Sequence, residues 1–532
     1  MRPLPIGIQN FKEIIAGEYV YIDKTQYIYA LLNDAKYYFL SRPRRFGKSL
    51  LLDTISEVFK GNRELFKGLS IFDSGYDFVM HPVIRLDMSK IANDNPETLK
   101  KSLLNNLKRQ IKTEKLDIPE EHPSDMFAHY IECMYEKYGQ KVVVLIDEYD
   151  KPILDQLVNF EIAEGNREVL RGFYGILKSM DPYLRFTFIT GVTKFAKTAI
   201  FSGLNNLLDI TLLEDYANIC GIAIEDLDMH FGDRINKLAS YKGFAGVENV
   251  RNEILGWYDG YSWDGESKVI NPFSLLYFFR QRKFAGFWYA SGTPKFLIDM
   301  LKKDPGMYIG LNESIITEFM LDSADLDNLD PESLMFQSGY LTIKSIDYTM
   351  GSPVYRLVIP NHEVKEAFNL HVISIFTEGG DKKADRAKIE ITSALSAGDM
   401  DKMLEILKGL FASIPYNLHV DAEAYYHSIF YAVMTVLGFD IDAEVAVSKG
   451  RVDAVLEFSS KVYVIEFKYI KCSPDLDQEG KDGLFEKALS DGMSQIKSRG
   501  YHKRYTGSGR TICLAVFAFL GRDDIAMELE LI

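Results

Sequence analysis

Two sets of charged residues in this 532-residue chain have types and spacing suited to phosphate chemistry. In SRPRRFGKSLLL, Gly47, Lys48 and Ser49 form the last three positions of a phosphate-binding loop. Backbone N–H groups of such a loop converge on phosphates, the lysine reaches the terminal phosphates, and the hydroxyl holds magnesium. Further on, KVVVLIDEYD is an unbroken apolar run that ends in Asp147 and Glu148. There Asp147 is placed to hold magnesium through water, and Glu148 to orient or deprotonate an attacking water. Thr190, at the end of FTFIT, is placed as a polar sensor of the terminal phosphate. Arg45 joins Gly47, Lys48, Ser49, Asp147 and Thr190 as a nucleotide-binding candidate. The loop departs from the general pattern, which wants glycine five positions before Gly47; Arg42 stands there, and Pro43 removes one N–H donor. The plain alternative makes Arg42, Arg44 and Arg45 surface charges, Asp147 and Glu148 caps of the following helix, and Thr190 structural.

The second set lies near the C-terminus. Strand alternation in Val462 to Lys468 places Val462, Val464, Glu466 and Lys468 on one face and Tyr463, Ile465 and Phe467 on the other. A short turn, Ser459-Ser460-Lys461, folds this strand against GRVDAVLEF, which brings Asp453 to the same hairpin. Two carboxylates and a lysine in that arrangement suit metal-dependent phosphodiester cleavage: Asp453 and Glu466 bind magnesium, and Lys468 positions or activates water. Gln495 and Glu423, with Glu444 as its competitor, are further polar candidates from neighbouring segments. The plain alternative is a solvent-facing Glu466–Lys468 ion pair on an edge strand, with Asp453 unrelated.

The elements that position these residues are legible in outline. Apolar stretches at 37–40, 83–86, 142–146 and 186–190, separated by longer amphipathic segments, indicate a parallel sheet covered by helices. From about 211 to 330 the pattern is mostly helical and rich in aromatics; 334–359 reads as a helix end and a hairpin, a winged-helix-like element. The polar stretch Thr377 to Arg386 is the best linker, and strands follow at 451–458, 462–468 and 511–519. The expected class is α/β, with a P-loop domain at 1–210, a helical lid and winged-helix region at 211–376, and an α/β nuclease-like domain at 387–532.

Bulk properties narrow the partners. A net charge of −15 argues against a surface that is basic all over, so nucleic acid must meet a local patch. KSRGYHKRYTGSGR supplies one candidate, with Lys497, Arg499, Lys503, Arg504 and Arg510; a solvated helix end is its alternative. The four cysteines have no paired spacing for zinc or disulfides. His427 has no second histidine at ligand spacing, and WYDGYSWDG reads as packing. With no long apolar run, the expectation is a cytoplasmic protein without a membrane span.

The segments FKEIIAGEYVYIDKTQYI, FLSRPRRFGKSLLLDTI, LIDEYDKPI and FTFITGVTKFAKTAIFSGLNNL resemble the bacterial AAA-ATPase-like family that is commonly fused to a nuclease-like domain. The similarity covers nearly the whole chain. In that family the arginine-containing loop is the usual form. Asp453, Glu466, Phe467 and Lys468 resemble the D…ExK core of the PD-(D/E)XK nuclease superfamily, with Val452 in place of its proline, and Gln495 matches a polar residue often found behind such sites. The resemblance implies a P-loop fold and a nuclease fold. The combined expectation is a protein that binds and hydrolyses ATP, with ATP and Mg2+ as cofactors, coupled to metal-dependent cleavage of nucleic acid, DNA favoured over RNA. A nucleotide switch or scaffold whose nuclease-like domain only binds nucleic acid or protein is the competing expectation, and the oligomeric state is open.

Overall fold

The structure, a computed structural model, describes residues 1–119, 122–157, 159–194, 200–201, 204, 206–241, 246–288, 314–321, 330–349, 351–368, 381–397, 399–412, 430, 434, 440–447, 450–458, 460–471, 477–507, 509–520 and 524–532. They fall into two compact units, one of Met1–Phe296 with Asn312–Val364 and the other of Leu297–Leu311 with Lys365–Ile532.

The first unit is built on strands β1 (Tyr37–Ser41), β2 (Val83–Asp87), β3 (Val142–Asp147), β4 (Leu184–Gly191) and β5 (Leu208–Asp209), all parallel, in the order β2-β3-β4-β1-β5. Every residue of β1 and β3 is buried, as expected of apolar strands covered on both faces. Parallel strands need crossovers, and helices Lys48–Phe59, Pro96–Thr113, Pro123–Tyr138 and Phe160–Ser179 supply them. The insertion of β4 between β1 and β3 matters most for the site. It pairs Leu40 with Thr190 on one side and Ile146 with Ile189 on the other, so the C-terminal ends of three strands meet.

The aromatic middle region is helical, with Ile224–Ala239, Val247–Tyr258 and Pro272–Gln281 around a core that includes Phe231, Ile254, Tyr258 and Phe278. Strands β6 (Ile222–Ala223) and β7 (Val269–Ile270) form a small antiparallel pair there. Helix Pro331–Ser338 then leads into a hairpin of β9 (Thr342–Asp347) and β10 (Val354–Val358), as read from the sequence. Strand β8 (Ser314–Thr317) adds to the hairpin and was not anticipated, because a run as short as SIIT carries too few residues to show a period.

In the second unit β11 (Asp440–Val447), β12 (Gly450–Phe458), β13 (Lys461–Ile470), β14 (Thr511–Leu520) and β15 (Asp524–Leu531) form one sheet in chain order, antiparallel except for the β13–β14 pair. The parallel pair is joined through helix Gln478–Arg499, whose Met493 and Ile496 pack on Val462, Val464, Leu514 and Val516. Phe430 covers the opposite face against Phe467 and Phe517. The linker reading needs correction: from Asp381 the chain is helical, through Asp381–Ala397. Residues 377–380 lie outside the described residues, as do Glu423 and His427.

Candidate nucleotide and nuclease-like sites

Strand β1 ends at Ser41 and helix Lys48–Phe59 starts seven positions later, so the loop between them is short. Gly47 is the N-cap residue at φ 94, a left-handed conformation that suits glycine, and no side chain caps the helix among the described residues. Its first N–H groups are therefore open to an anion. The Lys48 ammonium is buried and donates to the carbonyl oxygens of Arg42 (2.7 Å) and Pro43 (2.9 Å), so it reaches back over the loop. Burial lowers its pKa, and the charges of Glu148 and Asp147 oppose that shift.

Arg42 is not the surface charge considered above. It is 1 % exposed, donates to the carbonyls of Ser41, Thr211 and Tyr216 at 2.8–3.1 Å, and lies 4.0 Å from the ring centre of Trp263. Burial pulls its pKa down to about 10, against Cys220, Asp209 and Asp264. In the position where the general pattern has glycine, this guanidinium therefore crosslinks the loop to later segments. Arg44 accepts a bond on its carbonyl from the Trp288 indole (3.2 Å). Arg45 is exposed at φ 71, with its guanidinium 5.0 Å from the Phe273 ring.

At the end of β3, Asp147 is buried and accepts from the Thr190 hydroxyl at 2.8 Å. Glu148 follows at φ 54, half-buried, with a carboxyl pKa raised by burial, a shift that the Lys48 charge opposes without cancelling. Neither residue caps the next helix: Lys151–Leu154 has Asp150 at its N-cap, without a side-chain cap bond. Sequence reasoning gave Asp150 no role, yet its buried carboxylate accepts from the Val192 N–H (3.1 Å), the Thr193 N–H (2.7 Å) and the Thr193 hydroxyl (2.6 Å). It clamps the loop after β3 to the end of β4. The approach is so close that a Cβ on Gly191 would meet the Tyr149 ring at 2.4 Å.

Two cavities flank this centre. One, of about 110 Å³, runs beside Gly47 and is mostly apolar, with Val20, Phe46, Leu51, Ile222 and Leu276 among its walls and Lys24 at a polar edge. Lys24 is tied to Asp226 at 3.2 Å, and Asp23 anchors Thr25 and Ser70, which gives these two N-terminal residues a structural place. The other cavity, of about 530 Å³, is polar and includes Asp147, Asp53, Arg85 and Arg109.

In the second unit the predicted residues come together. Glu466 and Lys468 share a face of β13, which is an interior strand of the sheet; the edge-strand alternative is thereby excluded. The β12–β13 ladder ends at Ala454 with Ile465, and beyond it the Phe467 N–H donates to the Asp453 carboxylate (2.8 Å). Asp453 is thus held beside Glu466. Lys468 donates to Glu466 Oε1 (3.1 Å) and to Gln495 Oε1 (3.0 Å), and the Gln495 amide donates to the same Glu466 oxygen. Glu466 is 2 % exposed, and its Oε2 is buried with no hydrogen-bond partner among the described residues. Burial, reinforced by Asp453 and opposed by Lys468, pushes its pKa up to about 7. Among the described residues no group of three or more metal-ligating side chains is gathered; Glu444 lies on β11, but its side chain falls outside the described residues.

The basic run is less uniform than its sequence implies. Lys497 pairs with Glu530 and Arg510 with Glu457, which offsets two of its charges. Arg499 donates to the Tyr501 hydroxyl (2.8 Å), while Lys503 and Arg504 are exposed.

The fold and these two sites define a protein with a P-loop nucleotide-binding domain and a nuclease-like domain. A family model described as a predicted AAA-ATPase matches residues 5–201, and one described as the PD-(D/E)XK nuclease superfamily matches residues 421–528. The chain is 36% identical over 519 residues to an "uncharacterized protein in vnfD 5'region" of Azotobacter chroococcum mcd 1, covering 96% of this chain and 95% of that one. It therefore belongs to the family of predicted AAA-ATPases that carry a C-terminal PD-(D/E)XK nuclease superfamily domain. The chain is also similar to a solved structure titled "Structure of the Aeropyrum Pernix ORC2 protein (ADPNP-ADP complexes)", over 68% of this chain and 98% of that chain, at 9% identity and a TM-score of 0.28. Among the described residues no helix is long and apolar enough to cross a membrane.

Proposed function

We propose that residues 1–210 bind and hydrolyse ATP with magnesium, and that residues 387–532 cleave nucleic acid, DNA in preference to RNA, under control of the nucleotide state. The observation that carries the reading is Glu466: a carboxylate 2 % exposed, with one oxygen unpartnered among the described residues, beside a second carboxylate and a lysine. An isolated buried carboxylate is costly, and a divalent cation is the partner that this donor set fits. Asp453 and Glu466 would hold it, and when bound it would stabilise charge developing on a phosphodiester. Gln495 fixes the Glu466 carboxylate and the Lys468 ammonium, so that Lys468 points at the same place as the carboxylates and can orient water. Lys503 and Arg504 are available for the nucleic-acid backbone.

In the N-terminal domain the uncapped helix N-terminus and Lys48 would take the phosphates, with Arg45 at the rim of the loop. Ser49 and Asp147 would hold magnesium, whose charge offsets that of the phosphates. Glu148 orients water, its carboxyl kept within reach of a proton by burial. Thr190 positions Asp147 through their shared hydrogen bond. The apolar cavity beside Gly47 suits the face of a purine.

The test is cleavage of a panel of DNA and RNA substrates by the purified full chain, with magnesium or manganese, with and without ATP. Cleavage is expected to fall by at least ~100-fold in Lys468→Ala. Lys48→Ala is expected to lose ATP binding and the effect of ATP on cleavage. Lys48→Ala that loses binding but cleaves as wild type, with and without ATP, would overturn the coupling. No cleavage under any condition would leave a nucleotide switch whose C-terminal domain only binds its partner.

A further inference from the structure

We infer that Arg85 binds the terminal phosphoryl group of the nucleotide from the side opposite Lys48, and so distinguishes a nucleoside triphosphate from a diphosphate. This inference rests on the P-loop reading above. Strands β2 and β3 are parallel and pair Arg85 with Leu145 and Asp87 with Asp147. Paired residues share a face, so Arg85 and Asp147 project from the same side of the sheet, with backbones roughly 8 Å apart given two residues of rise and one strand spacing. Both line the polar cavity of about 530 Å³.

The Arg85 side chain reaches the first turn of helix Lys48–Phe59, directly after the phosphate loop. Its guanidinium donates to the carbonyl of Ser49 (3.1 Å), the residue next to Lys48, and pairs with Asp53 one helical turn further on (2.6 Å). Asp53 in turn accepts from the Phe11 N–H (2.7 Å), and the Arg85 carbonyl accepts from Gln110 (3.1 Å), so both ends of the tether are anchored. Three carboxylates, Asp53, Asp87 and Asp147, line this cavity. A terminal phosphate entering it would meet these carboxylates, so the placing of each cation in the same cavity, Arg85, Lys90 or Arg109, decides whether it can be held. Lys90 is paired with Asp87 and is largely exposed. Arg109 is exposed on helix Pro96–Thr113, where its Nε bonds its own helix at Asn105. Arg85 is the cation in the cavity that is both partly shielded from water and tied to the loop. Its fork has further N–H donors to offer a phosphate while it keeps the Ser49 bond.

The experiment measures affinities of the full chain for a non-hydrolysable ATP analogue and for ADP, both with magnesium, in wild type, Arg85→Ala, Arg85→Lys and Arg109→Ala. Arg85→Ala is expected to weaken the triphosphate by about 10- to 100-fold and to change ADP by less than about twofold, the scale of a charge-assisted hydrogen bond. Arg85→Lys should recover part of the loss, because the charge returns without the fork. Equal losses for both nucleotides in Arg85→Ala would make Arg85 a support of the Ser49 turn only, and would overturn the inference. A selective triphosphate loss in Arg109→Ala with none in Arg85→Ala would overturn it equally. Wild type that binds neither nucleotide refutes the P-loop reading itself, a result distinct from either of these.

Discussion

Replacing Gly492 by alanine tests whether the nuclease-like site depends on the seating of one helix. A Cβ at Gly492 would lie 2.5 Å from Val516 Cγ1, 3.3 Å from Val516 Cγ2 and 3.5 Å from Lys468 Cγ. Carbon atoms rest at about 3.5–4.0 Å, so helix or valine must yield by roughly 1 Å. Val516 is buried in β14 between two paired strands and has little room to turn. Overpacking of this kind costs about 1–3 kcal/mol, against about 1 kcal/mol gained by replacing a helical glycine, for a net loss of about 1 kcal/mol. The effect on chemistry should be larger. Gln495 is one turn away and holds both Glu466 and Lys468, and a displacement of about 1 Å at such a site costs on the order of 100-fold in rate. Urea unfolding followed by far-UV circular dichroism reads the first quantity. Emission from the tryptophans, all three of which (Trp257, Trp263 and Trp288) lie in the first unit, serves as an internal reference. Gly483→Ala is the control on the same helix: a Cβ there meets nothing within 4 Å, so stability should rise by about 0.5–1 kcal/mol with cleavage unchanged. If Gly492→Ala behaves like Gly483→Ala in both assays, the helix is not pressed on the sheet at this point and the reasoning is wrong.

Glu466 makes metal-free stability depend on pH. Its pKa of about 7 in the fold exceeds the ordinary 4.5, so between these values the folded chain binds more protons than the unfolded one. Stability should therefore fall as pH rises from about 4.5 through 7, by roughly 3 kcal/mol in total, and Glu466→Gln should flatten this slope in urea titrations at a series of pH values. Asp150→Ala strips the Val192 and Thr193 N–H groups and the Thr193 hydroxyl of their acceptor. A loss of roughly 3 kcal/mol by tryptophan-detected unfolding is expected, less for Asp150→Asn, which keeps an acceptor; equal values would dismiss the clamp. Arg42→Met removes the guanidinium from the carbonyls of Ser41, Thr211 and Tyr216, of which the last keeps the Ile219 N–H, and should cost about 2–3 kcal/mol and shift the emission of Trp263, over which the guanidinium lies. Unchanged emission and stability would return Arg42 to the surface.

The strands that carry the sites were legible because their side-chain periods are unmixed. Val142 to Ile146 is apolar without a break, as befits burial on both faces, and in Val462 to Lys468 the two-residue period of a strand puts Glu466 and Lys468 on one face by counting. Other strands were missed for different reasons. Asp440–Val447 and Asp524–Leu531 carry a partial polar–apolar alternation that is itself a strand signal. Leu208–Asp209, Ile222–Ala223 and Val269–Ile270 have two residues each, too few for any period. The stretch from Asp381 looked like a linker because it is polar, yet polarity alone does not prevent a helix, and DKKADRAKIEITSAL contains no proline and no interior glycine.

What the sequence determined alone is the chemistry available: a lysine and hydroxyl after a loop, carboxylates at strand ends, and a glutamate and lysine on one strand face with an aspartate on the strand before it. These follow from local spacing, which a strand or helix turns directly into geometry. What the tertiary structure decided is which groups meet and in what state. The order β2-β3-β4-β1-β5 brings Thr190 to Asp147 and lets Asp150 reach Thr193, contacts between residues more than forty positions apart. Burial turned Arg42 from a surface charge into a crosslink and raised the Glu466 pKa towards neutrality, because the cost of a charge depends on the water removed from around it, and that is settled only when distant segments close over it.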